Sequence, residues 1–166
     1  MLHRSLASLT TIAAIGAAVA GGVFFGFSTF IMRALNRLPA DRAIAAMQAI
    51  NLVAPNPLFM TALFGTGAAC AIVGVVSLRH FDEPGAVHRV VGAGVYIAGL
   101  LVTVAYHVPH NDALARVDPN GLGAVRTWAR YATGWTAWNH VRAATAIAGA
   151  VLLVVANRVA DRATAM

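Results

Sequence analysis

The chain has 166 residues, with no lysine, six acidic side chains, one cysteine and only 11% charged residues. Each shortage excludes something. A soluble domain of this length carries about 25% charge, so a fully water-exposed surface is excluded. One cysteine cannot close an internal disulfide, nor can it build a thiolate metal site. Cys70 stands inside an apolar run and reads as a buried spacer. No Gly-rich phosphate loop, nucleophile elbow or paired carboxylate is present. The formal charge of +6 comes from twelve arginines scattered over every connection. They form no basic stripe interleaved with aromatics, so no nucleic-acid partner is expected.

What is present is apolar length. Hydrophobic residues make up 59% of the chain, and its mean hydropathy is +0.71. Four long apolar runs span roughly residues 9–32, 56–78, 88–106 and 137–156, each about the length that crosses a bilayer. The predicted fold is all-α: one membrane domain over 1–166, a four-helix bundle with two short amphipathic helices in its long connections. Membrane lipid is the expected surround. An arginine-only basic complement with abundant alanine suggests GC-rich bacterial coding, hence a multi-pass protein of the bacterial cytoplasmic (inner) membrane. Ala18-Val19-Ala20-Gly21 resembles a signal-peptidase site. The apolar character nevertheless continues through Val23, Phe24, Phe25, Phe27, Phe30 and Ile31, which predicts a retained span. Ala14, Ala18, Gly22 and Gly26 recur every four residues, a small-residue ladder suited to close helix packing within the bundle. A second copy of the chain, giving a homo-oligomer, is its other use.

The connection 33–55 carries Pro39 and Asp41, which suit a helix start. Ile44, Met47, Ile50 and Asn51 then give a short amphipathic helix on the membrane surface or over the bundle. Asn56-Pro57 reads as an N-cap with a pre-set φ. In the connection after span three, Val125, Trp128, Ala132 and Trp135 share a helical face opposite Arg126 and Arg130. Gly134 stands where that helix would end.

With four spans, the first and third connections lie on one side. That end of the bundle gathers Phe27, Asn56, Phe59, His107, Asn111, Trp135, Trp138, Asn139, His140 and Arg142. Polar and aromatic groups converging at a bundle mouth predict a small-molecule pocket. At helical spacing Trp135, Trp138, Asn139 and Arg142 share a face, with His140 beside it. A guanidinium at the depth of Arg142 costs about 2.5 kcal/mol or more, and such groups are normally paired or functional. Either it anchors the helix at the interface, as Trp and Arg do, or it turns inward. The inward case is predicted, with Asn111, Asn56 or His107 as hydrogen-bonding partner.

The chemistry that follows has open alternatives. A histidine at this mouth can serve as general base. Asn139 and Arg142 can hold a phenolate or enolate oxygen, or Asn139 can be a structural tie to Asn56 or Asn111. Asn111-Asp112, after Pro109, can cap a following helix. His107, His110 and His140 are numerous enough for a metal, but Pro109 interrupts the first pair and no Glu or Cys supports them. No metal is expected.

Several stretches together resemble the anthrone oxygenase-like membrane proteins, a family catalogued largely as a domain of unknown function. They are Pro109-His110-Asn111 after span three and Trp138-Asn139-His140-x-Arg142 opening span four. Phe24-Phe25-Gly26-Phe27, Ala46-Met47-Gln48-Ala49-Ile50-Asn51 and Asn56-Pro57-Leu58-Phe59-Met60 add to them. His110 stands where that pattern has an apolar residue. The resemblance implies an enzyme that oxidises a polycyclic, polyketide-like anthrone with O₂ and no cofactor. It further implies His140 or His107 as base, Arg142 and Asn139 on the aryl oxygen, and Trp135 and Trp138 stacked on the rings of a small hydrophobic aromatic ligand. Asn111, Asn56, Phe27 and Phe59 complete the expected binding wall. The alternative is a non-catalytic membrane module that binds a hydrophobic ligand or a partner protein.

Overall fold

Inside hydrocarbon every backbone polar group must find its partner within the segment, so each apolar run folds as one continuous helix. The computed structural model describes residues 2–165, with the side chains of 4–165. Four helices are long and apolar enough to cross a membrane: α1 (Arg4–Leu35), α3 (Pro57–Arg79), α4 (Ala86–Ala115) and α5 (Ala124–Thr164). The chain is a multi-pass membrane protein. One short helix, α2 (Ala40–Val53), lies in the first long connection. Around the bundle α1 packs on α5, α5 on α4, α4 on α3, and α3 back on α1.

The core is built from small residues that let the backbones approach. Ala13, Ala17 and Ala20 of α1 are fully buried, and Ala143, Ala146 and Ala150 of α5 are nearly so. This stripe differs from the four-residue ladder read in the sequence, since Ala18 and Gly22 are exposed. A straight helix drifts from an exact four-residue period, so the ladder leaves the packed face.

α2 does what its pattern predicts. Ala43, Ile44 and Met47 are fully buried in a cluster with Met32, Leu35, Leu114, Trp128, Tyr131 and Trp135. Gln48 Nε2 donates to the carbonyls of Leu114 and Val117, 2.9 Å from each, which ties α2 to the end of α4. Trp128 Nε1 donates to Asn36 Oδ1 at 3.0 Å. Asn56 caps α3 as expected, accepting from the Phe59 N–H at 2.9 Å.

The second amphipathic helix does not exist as a separate element. Val125, Trp128, Ala132 and Trp135 belong to the first third of α5, which runs 41 residues without a break. At 1.5 Å per residue that is roughly 60 Å, about twice the hydrocarbon thickness. Gly134 does not end it. A Cβ there would meet the Tyr106 hydroxyl, so this glycine serves helix contact rather than termination. α4 likewise continues past Pro109 to Ala115. Its turn Thr103–His107 is π-helical, and the wider turn makes room for a proline ring that would otherwise strike the preceding carbonyl.

Two further π turns occur, at Phe27–Ile31 in α1 and Thr61–Gly65 in α3. All three lie toward the same end of the bundle. Carbonyls near two of them are held by donors from other helices. Tyr96 Oη donates to the Leu63 carbonyl at 2.9 Å, and Asn139 Nδ2 donates to the Phe24 carbonyl at 2.8 Å. At the opposite end, Arg89 is buried and donates to Ser77 Oγ at 3.1 Å and to the Pro84 carbonyl at 3.2 Å. Glu83 lies 3.9 Å from it, and the turn closes at Gly85 with φ of 84°.

Candidate functional site

The end carrying the three π turns holds a cavity of about 510 Å³ roofed by α2. Such turns concentrate at functional sites. Phe24 and Phe27 line it from α1, Met47, Ile50 and Asn51 from α2, and Phe59, Met60 and Leu63 from α3. Thr103, His107 and Asn111 of α4 and Trp135 and Arg142 of α5 close it. The walls are otherwise apolar, and Arg142 is the one formally charged residue among the lining.

Arg142 points inward, as predicted, and is only 6% exposed. Its expected partners are not its partners. Among the described residues none accepts a hydrogen bond from it, and its buried Nε is unpaired. Instead its Cζ lies 3.8 Å from the centroid of the Phe24 ring. A desolvated cation–π contact contributes about 2 kcal/mol, whereas an uncompensated buried charge costs several kcal/mol. None of the six carboxylates of the chain lines the cavity. The cation is therefore open to an anionic or strongly polarised oxygen from outside.

His107 is 1% exposed. Its Nε2 lies 3.3 Å from the Trp135 carbonyl, an acceptor, so Nε2 carries the proton in the neutral ring. Nδ1 is then an unprotonated nitrogen, buried and without a partner. The imidazole meets the Trp135 ring edge-on with centroids 5.0 Å apart, and Phe27 covers that indole from 5.4 Å. Trp135 Nε1 donates to Asn111 Oδ1 at 3.0 Å, and Tyr131 Oη donates to the same oxygen at 2.9 Å. Asn51 Nδ2 in turn donates to Tyr131 Oη at 3.4 Å. Asn111 is thus a helical residue within a network, not a cap.

Residues 58–152 match the family model described as anthrone oxygenase. The chain belongs to the anthrone oxygenase family. No curated protein and no solved structure matches it. The matched segment of this family member contains nearly all of α3, all of α4 and the part of α5 that bears Trp135 to Arg142, so half of the cavity lining falls within it, His107, Asn111, Trp135 and Arg142 included.

Of the residues expected at the site, His107, Arg142, Trp135, Asn111, Phe27, Phe59 and Asn56 line one cavity. Asn56 does so at the exposed rim, where its side chain is occupied by the cap and by the carbonyls of Val53 and Ala54. Three others are elsewhere. Asn139 is fully buried, but its amide holds the Phe24 carbonyl and Ser28 Oγ, at 2.8 and 2.9 Å. It is a tie across the bundle, though to α1 and not to Asn56 or Asn111. Trp138 is 44% exposed and leans on Tyr106 at 5.4 Å, which stacks on His110 at 3.9 Å. That outward aromatic group suits a membrane interface. His140 is exposed on the outer side of α5. Among the described residues no three His, Cys, Asp or Glu side chains meet in a metal-holding group.

Phe24, Tyr131, Thr103 and the α2 residues Met47 and Ile50 were not among the expected site residues. Tyr131 had a signal: it adjoins the face of Trp128, Ala132 and Trp135 at helical spacing. Phe24 had none, because a phenylalanine among phenylalanines reads as lipid-facing or core.

Proposed function

We propose that the protein is a membrane-embedded, cofactor-independent oxygenase of anthrone-type polycyclic aromatics. One observation carries the reading: the buried Arg142 lines a mainly apolar cavity and has no hydrogen-bonded acceptor among the described residues. A cation so placed stabilises the oxyanion that appears when an anthrone loses its acidic C–H proton. His107 is the base in this scheme, taking the proton on Nδ1 while Nε2 stays bonded to the Trp135 carbonyl. The electron-rich anion combines with O₂, and protonation gives a hydroperoxide. Loss of water leaves the second carbonyl, so anthrone and O₂ become anthraquinone and water. The dry cavity strengthens the contact between Arg142 and the oxyanion, and Trp135 with Phe27 supplies the aromatic wall.

The test is purified protein mixed with anthrone under O₂, followed by quinone absorbance. The expected result is a rate above spontaneous oxidation that disappears in Arg142→Met and His107→Gln. Tight binding of polycyclic phenols without any turnover would replace this reading with that of a ligand-binding module.

A further inference from the structure

The orientation of the Asn111 amide is fixed by chemistry. An indole N–H only donates, so the Asn111 atom 3.0 Å from Trp135 Nε1 is the oxygen. That oxygen also takes the Tyr131 hydroxyl, and Tyr131 is itself steadied by Asn51. Its two donors thus occupy Oδ1. Nδ2 remains, with two N–H groups: both side-chain hydrogen bonds of Asn111 among the described residues go to Oδ1, and the residue lines the cavity. The second unsatisfied donor is Arg142, 94% buried and likewise facing in. Trp135, which holds Asn111, and Arg142 are seven residues apart on α5, roughly 10 Å along its axis. The cavity they share is lined mainly by apolar side chains, among them Phe24, Phe27, Met60 and Leu63. Among the described residues neither donor group has a hydrogen-bonded acceptor.

We infer that the cavity selects fused-ring aromatics bearing two oxygens at opposite edges, one held by Arg142 and the other accepting from Asn111 Nδ2. The inference rests on the oxygenase reading for its substrate class. It makes Asn111 a specificity-determining residue, with Tyr131 and Asn51 as positioning residues that keep its N–H groups turned inward. In the reaction, the second oxygen is the one newly added to the ring, so Asn111 meets the product carbonyl rather than the starting C–H carbon. The donor at this end is neutral, which suits a carbonyl or hydroxyl oxygen. The donor at the other end is a cation, which suits the oxyanion.

The experiment is anaerobic binding to the purified full chain in detergent, where no turnover occurs. Anthrone, with one oxygen on its central ring, is compared with anthraquinone, which has two. Binding is read by quenching of tryptophan fluorescence. Wild type is expected to bind anthraquinone about tenfold more tightly, the scale of one added hydrogen bond. Asn111→Asp keeps an oxygen for Trp135 and Tyr131 but offers no N–H to the ligand. It should abolish the preference and leave anthrone affinity within about threefold. Asn111→Leu should do the same, and His140→Ala should change neither affinity. Equal wild-type affinities, or parallel weakening of both ligands in Asn111→Asp, would overturn the inference. Turnover of anthrone without the binding preference sinks this inference alone. A preference that depends on Asn111, without turnover, sinks the oxygenase reading alone.

Discussion

The guanidinium carbon of Arg142 lies over the ring of Phe24, 3.8 Å from its centroid, with no hydrogen-bonded acceptor among the described residues. The contact holds the cation beside the ring while its Nε stays unpaired. A buried charge so placed costs several kcal/mol that hydrogen bonds within the described residues do not offset.

Arg142→Met should therefore stabilise the unliganded protein, by about 1–4 kcal/mol on the scale seen when buried ionic groups are replaced by apolar ones. Thermal unfolding in detergent measures it. A lower melting temperature than wild type would mean that Arg142 has a compensating partner.

Arg142→Lys should lower kcat/KM by about tenfold or more while the fold is kept. An ammonium lacks the planar fork with which a guanidinium can both cover an aromatic ring and meet an oxygen through two N–H groups. Initial rates of quinone formation decide it, and a rate near wild type would make the point charge alone sufficient.

The two histidines expected as base should separate cleanly. His107→Gln removes the basic nitrogen and should lower the rate by about 10²–10⁴-fold. His140→Ala, on the exposed face, should leave it near wild type. The reverse order would move the chemistry to the outside of α5.

Asn139→Ala should cost about 1–3 kcal/mol of stability, because it strips a buried donor from the Phe24 carbonyl and Ser28 Oγ. Activity per folded molecule should change much less. A large fall in kcat with unchanged thermal unfolding would instead give Asn139 a role at the reacting oxygen.

At the far end, Gly85→Ala should destabilise by about 1–2 kcal/mol from its left-handed backbone alone. The clash of the new Cβ with the Ala156 carbonyl adds to that. Gly94→Ala, with nothing within 4 Å of the added carbon, should be neutral or slightly stabilising. Equal melting temperatures for the two variants would contradict the close approach of this turn to α5.

The spans, the Asn56 cap and the α2 face were legible because each is a local property: apolar length, a capping residue before proline, and helical period. The inward turn of Arg142 was legible from the cost of leaving a cation at that depth. What the sequence hid were departures from regularity. A reading that takes proline and glycine as helix breakers ends α4 near Pro109 and a helix at Gly134, and both helices in fact continue. Helical spacing placed Trp138 and Asn139 in the binding wall beside Trp135. An arc shared by four residues is wider than the strip of α5 that faces the cavity. Phe24 stayed hidden because its role comes from Arg142, which lies 118 residues farther along the chain.

A π turn closes its hydrogen-bonded ring with one residue more than an α turn, so each of the three works as a one-residue insertion. Deleting a single residue from Phe27–Ile31 would return that turn to the ordinary pitch while the residues on either side kept their faces, because the wide turn already absorbs the extra residue. Met32 and Leu35 would keep their places under α2. What such a deletion takes away is the local widening beside the cavity. The site end can therefore be tightened one turn at a time, with the membrane-crossing frame unchanged.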